Sequence, residues 1–195
     1  MVLFQIKYNL SPEMKIYRIV NDVEKYQWIM PQNEKDLFDA LSFDCFPKKE
    51  SWNPIEMYIF NTKKKKGNFY SLGGIGALVF DDNVLNVMRT FFEMAGEILP
   101  VFLNGTELYI LNVLECVNAL DEKKTIWNYY ENQTRDGILK YAFHNKRFTE
   151  SSIFKIPETS KTEILTYSGF KDPIEEFYSL YIQYAFEGLL FDQIA

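Results

Sequence analysis

Histidine occurs once and cysteine twice in this chain of 195 residues. That scarcity narrows the available chemistry. A Ser-His-Asp or Cys-His arrangement would have to use His144, which lies in Phe143-His144-Asn145-Lys146-Arg147, a polar turn where an exposed structural histidine is expected. No GxSxG elbow accompanies it, and neither Cys45 nor Cys116 belongs to a CxxC spacing. One intramolecular disulfide at most is open to the chain, and two buried reduced thiols are the expectation. A zinc site built from one histidine and two scattered cysteines would need an acidic fourth ligand, so no metal and no cofactor is expected. Apolar runs such as residues 75–80 and 98–103 fall far short of the roughly 20 residues that cross a bilayer. Residues 1–10 carry Lys7 but neither a basic leader nor a small-residue cleavage site. A cytoplasmic protein without a membrane partner is expected.

What is abundant is aromatic and acidic. The chain holds 17 Phe and 13 Tyr, enough to exclude long-range disorder, and is 47% hydrophobic. That suits one good core over residues 1–195, with room for a small N-terminal lobe over residues 1–66. The net charge of −6 argues against a protein that grips nucleic-acid phosphates. The negative excess is uneven. Residues 1–66 hold 11 basic and 9 acidic side chains, residues 67–156 hold 8 and 11, and residues 157–195 hold 2 and 7. If the C-terminal carboxylates share a face, they would steer a basic protein into contact. A merely solvated acidic face is the plainer alternative.

Hydrophobic periodicity predicts the elements. Residues 3–8 alternate as a half-buried strand, and residues 14–20, beyond the turn signal Ser11-Pro12, could pair back as a hairpin. Asn33 can cap a short helix over residues 33–41 carrying Leu37, Phe38 and Leu41. Residues 55–60 read as a strand. Asp81 or Asp82 starts the strongest helix, with Val84, Met88, Phe91, Phe92 and Ala95 on one stripe and Gly96 supplying a left-handed terminus. Asn104-Gly105 joins residues 98–103 and 107–113 into a hairpin. Extended segments follow at residues 113–120, 125–130 and 138–143, the last two separated by Arg135-Asp136-Gly137. A final helix starts at Asp172-Pro173 with Glu175 three residues after the cap and ends at Gly188, before a returning strand at Leu189-Leu190-Phe191. Strands and helices do not alternate regularly, so the expected class is α+β, a largely antiparallel sheet with two or three helices packed against it.

Candidate chemical motifs all have plainer readings. Ser71-Leu72-Gly73-Gly74-Ile75-Gly76 lacks the Gly-Lys-Ser/Thr ending of a phosphate loop, and an apolar run separates it from the next helix, so a tight packing turn is expected. The pairs Asp81-Asp82, Asp121-Glu122 and Glu175-Glu176 are adjacent in sequence and do not face one another as acid and base. Glu175 and Glu176 suit the positive end of the final helix. The four lysines at residues 63–66 read as a solvated loop. Trp28, Trp52 and Trp127 lack basic interleaving and read as packing residues.

An ordered series carries more weight than any single motif. Gly67-Asn68-Phe69-Tyr70-Ser71-Leu72-Gly73-Gly74 is followed by Leu78-Val79-Phe80, a helix, and Glu97-Ile98-Leu99-Pro100-Val101. Then come Glu107-Leu108-Tyr109-Ile110-Leu111-Asn112-Val113, Val117-Asn118-Ala119-Leu120-Asp121, Ile153-Phe154-Lys155-Ile156-Pro157 and Gly188-Leu189-Leu190-Phe191. This series, over about the last two thirds of the chain, resembles immunity protein family eleven of bacterial polymorphic toxin systems. Family members usually place an aspartate before the first Phe and a serine at the helix start, where this chain has Asn68 and Asp81-Asp82. The N-terminal third matches only through Trp52 and the strand after it. The resemblance implies a non-enzymatic protein that binds and neutralises a cognate toxin and carries no catalytic residues. Asp172, Glu175, Glu176, Glu187 and Asp192 are then the expected contacts for a basic toxin. Two alternatives come from other classes: an enzyme acting on a nucleotide or sugar through carboxylates near the glycine turn, and a regulatory module binding an endogenous protein.

Overall fold

Apolar and polar residues that alternate along the sequence become strands in the computed structural model, which describes residues 14–33, 35–36, 40–73 and 76–195. The strands are β1 (Lys15–Asn21), β2 (Ile29–Pro31), β3 (Ile55–Ile59), β4 (Phe69–Tyr70), β5 (Leu78–Phe80), β6 (Gly96–Leu103), β7 (Thr106–Val113), β8 (Ile126–Tyr129), β9 (Arg135–Lys140), β10 (Ile153–Phe154), β11 (Ile164–Ser168) and β12 (Leu189–Gln193). The helices are α1 (Asp82–Ala95) and α2 (Phe177–Gln183). One sheet has the order β2-β3-β6-β7-β5-β4 and another β10-β11-β1-β12, while β8 and β9 pair alone. Among the strand pairs of the described residues, β3 with β6 is parallel and the others are antiparallel. The class is α+β, with helices against largely antiparallel sheet.

Both large sheets are covered on both faces, which accounts for strands whose sequences do not alternate. On β5, Leu78 and Phe80 face a layer shared by the two sheets, and Val79 faces the outside of the six-stranded sheet. On β7, Leu111 and Val113 face the shared layer, with Leu108 and Ile110 on the other side. In the four-stranded sheet, Ile19 and Ile164 point into the shared layer, while Ile16, Leu165 and Tyr167 join a third cluster with Val117, Leu120 and Tyr141. The shared layer is aromatic. Phe80 and Phe92 lie 4.5 Å apart between ring centroids, and Phe177 lies 6.0 Å from Phe92 and 6.1 Å from Phe69.

Helix α1 follows its expected start. Asp81 accepts the Val84 N–H at 3.1 Å, and Val84, Leu85, Met88, Phe92 and Ala95 are buried. Its end differs. Gly96 has φ 169°, an extended rather than left-handed conformation, and belongs to β6 without any intervening loop. The glycine is needed for space, since a Cβ there would lie 2.0 Å from the Asn112 carbonyl oxygen. The Asn104-Gly105 turn is as expected, with φ of 51° and 76°.

Other elements are displaced from their expected places. Residues 3–8 lie outside the described residues, as does Ser11-Pro12, and both edges of β1 are occupied by β11 and β12 rather than by a hairpin partner. Of the helix expected over residues 33–41, Lys35 and Asp36 are helical, with the Lys35 N–H donated to Asn33 Oδ1 at 3.2 Å. Leu37 and Phe38 lie outside the described residues. Residues 114–120 form no strand, only isolated bridges at Cys116 and Leu120. Arg135-Asp136-Gly137 is part of β9 rather than a break before it. The last helix is also shorter. Pro173–Glu175 makes a single 3-10 turn capped by Asp172, Glu176 is extended, and α2 begins afresh at Phe177. It ends well before Gly188, which packs against Phe69.

Gly96→Ala should lower the unfolding free energy by about 3 kcal/mol, because the conflict is with backbone. Gly137→Ala, with nothing within 4 Å of the added carbon, should leave it unchanged or slightly higher. Urea unfolding midpoints at constant slope test both.

Candidate functional site

The five C-terminal acids singled out by charge fall into different environments. Glu176 is buried at 1% exposure, and its two oxygens accept the N–H groups of Gly169 (3.0 Å), Phe170 (2.8 Å) and Lys171 (2.8 Å) and the Ser179 hydroxyl (3.2 Å). It organises the 169–171 turn and is out of reach of a partner. Asp192 accepts from Arg18 at 3.2 Å, and the same guanidinium holds Glu163 at 3.0 Å. Glu187 is hydrogen-bonded to Lys65, which holds its carboxyl below the ordinary carboxylate range. Asp172 caps the Ile174 N–H at 3.1 Å. Asp172 and Glu175 are the exposed pair, with no ion-pair partner among the described residues. Of the five acids, Glu176 is withdrawn from the surface, Glu187 and Asp192 stay partly exposed but paired with cations, and Asp172 and Glu175 are exposed without an ion-pair partner among the described residues.

A second exposed feature was not anticipated. Strands β8 and β9 form a two-stranded ribbon belonging to neither large sheet. Its base is clamped. Asp121, 6% exposed, takes the Ala142 carbonyl through its own N–H at 2.8 Å, and its carbonyl accepts from Thr125 at 2.9 Å. His144 donates its N–H to the Ala119 carbonyl at 2.8 Å, and its half-exposed ring has Nδ1 3.8 Å from Asp121 Oδ2, a structural setting as expected. Trp127 and Ile138 pack against the third cluster, and the Arg135 guanidinium covers the Trp127 ring at 3.9 Å while donating to Glu122 at 3.1 Å. Ile126, Tyr129, Tyr130 and Leu139 are left exposed on a supported scaffold. The sequence signal was present in Ile126-Trp127-Asn128-Tyr129-Tyr130, where large apolar groups occupy both parities of a strand between charged turns, more than one buried face requires.

A cavity of about 330 Å³ lies between the β6–β7 turn and the start of α1, lined by Lys66, Tyr70, Asp81, Asp82 and Glu107. Asp81 is committed to the helix start: Oδ1 accepts from Val84, and Oδ2 from the side-chain amides of Asn68 at 3.1 Å and Asn83 at 3.3 Å. Asp82 accepts from Asn86 at 3.4 Å. Burial, reinforced by Asp81, pushes the Tyr70 hydroxyl up to about 12, so it stays protonated at neutral pH. At Gly76 the backbone is closely approached, since a Cβ there would meet the Phe43 carbonyl oxygen at 3.1 Å, while Gly73 has open space beside it. Among the described residues, no three His, Cys, Asp or Glu side chains gather as a metal site, and no helix is long and apolar enough to cross a membrane.

Lys155 is the other unanticipated group. It interrupts Ile153-Phe154-Lys155-Ile156, is fully buried, and donates from Nζ to the Phe43 carbonyl at 2.7 Å. Burial lowers its pKa from 10.5 to about 8, against the opposing pull of Cys45 and Asp44. The charged form is therefore disfavoured in the folded state, and the cost disappears as pH rises from about 8 toward 10.5, where only the unfolded chain holds the proton.

Glu176→Gln should destabilise the fold by about 3 kcal/mol, because an amide nitrogen would face backbone donors. Charge reversal at Glu175 should leave the unfolding free energy within about 0.5 kcal/mol of the parent, whereas charge reversal at Asp172, which gives up the Ile174 cap, should lower it by about 1 kcal/mol. The stability difference between Lys155→Met and the parent should shift toward the parent by about 2 kcal/mol between about pH 7 and about pH 10, read from unfolding curves. Comparison with the models of known protein families and with curated proteins finds no match to this chain.

Proposed function

We propose that this chain is a neutralising binder, an immunity protein that occludes a cognate toxin domain, and that the β8–β9 ribbon makes the central contact. The observation that carries the reading is the exposed aromatic ribbon anchored at its base. Tyr129, Tyr130, Ile126 and Leu139 are open to solvent at the end of a clamped base, with Trp127 and Arg135 stacked beside them. Tyrosine, tryptophan and arginine on a preorganised support are the side chains that dominate protein interfaces. Asp172 and Glu175 supply the remaining unpaired acidic charge and would act on encounter with a basic toxin rather than on the lifetime of the complex.

The placement of the resemblance supports the same reading. Its residues form β4 through β7, α1, β10 and β12, and the buried Phe80, Leu99, Ile110, Ala119 and Phe154 belong to them. The ribbon lies between the Ala119-Leu120-Asp121 and Ile153-Phe154 segments and contributes none of them. A shared scaffold with a separate projecting element fits a group of proteins that each meet a different partner.

Co-expression with the product of the neighbouring gene, scored as bacterial growth, tests the activity, and a purified complex should bury roughly 1,600 Å². Tyr129→Ala with Tyr130→Ala should weaken association by about 10- to 100-fold with an unchanged melting temperature. Loss of growth protection by that variant supports the ribbon assignment. Full protection by it would refute the ribbon, and absence of protection by the parent chain would refute toxin neutralisation.

A further inference from the structure

Segment 43–49 has no regular strand, yet it is fastened to the body of the protein at several points. The Lys155 ammonium holds the Phe43 carbonyl, and the Asn112 side-chain amide donates to the Phe46 carbonyl at 2.8 Å. The Glu97 carboxylate accepts the N–H groups of Lys48 at 2.8 Å and Lys49 at 3.3 Å and binds Asn112 at 3.0 Å. Lys155 is also bridged through its backbone to Cys116, with the Lys155 N–H on the Glu115 carbonyl and the Val117 N–H on the Lys155 carbonyl, both at 2.8 Å. These tethers gather Cys45, two residues beyond Phe43, and Cys116, the bridge partner of Lys155, around the Lys155 side chain as neighbours of one another.

The geometry points to a reversible intramolecular disulfide between Cys45 and Cys116, formed by reaction with a hydroperoxide. Both thiols are free and half-buried rather than sealed in the core, so a small oxidant reaches them. Cys45 has φ 68°, a left-handed conformation uncommon for a side chain of its size, held there by the tethers on either side. Burial pushes the Cys45 thiol up to about 11 despite the nearby Lys155 charge, so Cys45 acts second.

The thiolate of Cys116 attacks the terminal oxygen of the hydroperoxide. The O–O bond breaks, the alcohol leaves with a proton, and Cys116 becomes a sulfenic acid. The Cys45 sulfur then attacks the Cys116 sulfur; the S–S bond forms, the S–O bond breaks, and the oxygen departs as water with the Cys45 proton. Two thiols lose two electrons and two protons in all, and the hydroperoxide is reduced to alcohol and water. The bond would join segment 43–49 covalently to the stretch after β7, and a dithiol reductant would reverse it.

The test is to treat the full-length protein with hydrogen peroxide, block residual thiols, digest without reductant and map the products by mass spectrometry. The expected product is a monomer that has lost two hydrogens, carries a linked Cys45–Cys116 peptide, melts about 10 °C higher and reverts with dithiothreitol. Cys116→Ser should give no linked peptide and no rise in melting temperature. The inference is overturned if the parent's cysteines are recovered as separate sulfinic acids, as unreacted thiols, or as disulfides between two chains. The parent digest decides the matter even where a cysteine variant fails to fold.

Discussion

Water is excluded from the layer between the two large sheets by a set of tilted and edge-to-face rings, against which both helices and both sheets pack. Phe69 and Phe80 come from the six-stranded sheet, Phe92 from α1 and Phe177 from α2, with Ile19, Ile153, Ile164 and Leu189 closing the layer from the four-stranded sheet. A one-residue slip in any contributing strand would exchange its inner and outer side chains, and both faces are already apolar and shaped to their neighbours. The register is therefore set by fit rather than by a simple inside-outside alternation. Through β11 the same layer supports the third cluster, on which the base of the ribbon rests.

Charge in this protein is more structural than its composition suggests. Glu176 closes a turn, Asp81 starts a helix, the Asp121 carboxylate accepts the Lys123 N–H beside the ribbon base, and Arg18 gathers Glu163 and Asp192. A surplus of carboxylates in the last 39 residues was a poor guide to surface potential, because sequence arithmetic counts charges without regard to their partners. Lys155 makes the same point with the opposite sign: a cation fully out of water, opposed by desolvation and kept by the carbonyl it holds.

Much of the architecture was legible where local rules act alone. Asp81 and the spacing of Val84, Met88 and Phe92 identify α1, and Asn104-Gly105 identifies the β6–β7 hairpin. Failures came where distant backbone intervenes. Gly96 reads as a helix terminator, but its role is set by the Asn112 carbonyl pressed against it; Glu176 reads as part of a helix's first turn, but three backbone donors from residues 169–171 draw it inward. For the candidate surface, charge arithmetic pointed to five C-terminal acids, of which Glu176 is buried, and passed over the exposed side chains of β8 and β9. Large apolar groups on both parities of residues 126–130 exceed what one buried face needs, but that surplus does not by itself show that β8 pairs only with β9.

Strand β1 lies in the interior of its sheet, yet its partners are β11 and β12, and Arg18 meets Glu163 across 145 positions of sequence. On a ribosome, that strand would emerge and wait on the order of ten seconds with both edges bare before its neighbours are made. The nascent chain must therefore be kept from pairing with other molecules in the meantime, and the closing of this sheet waits for β11 and β12. Of the two sheets, the six-stranded one is the natural early nucleus, since β2 through β7 are all complete by Val113.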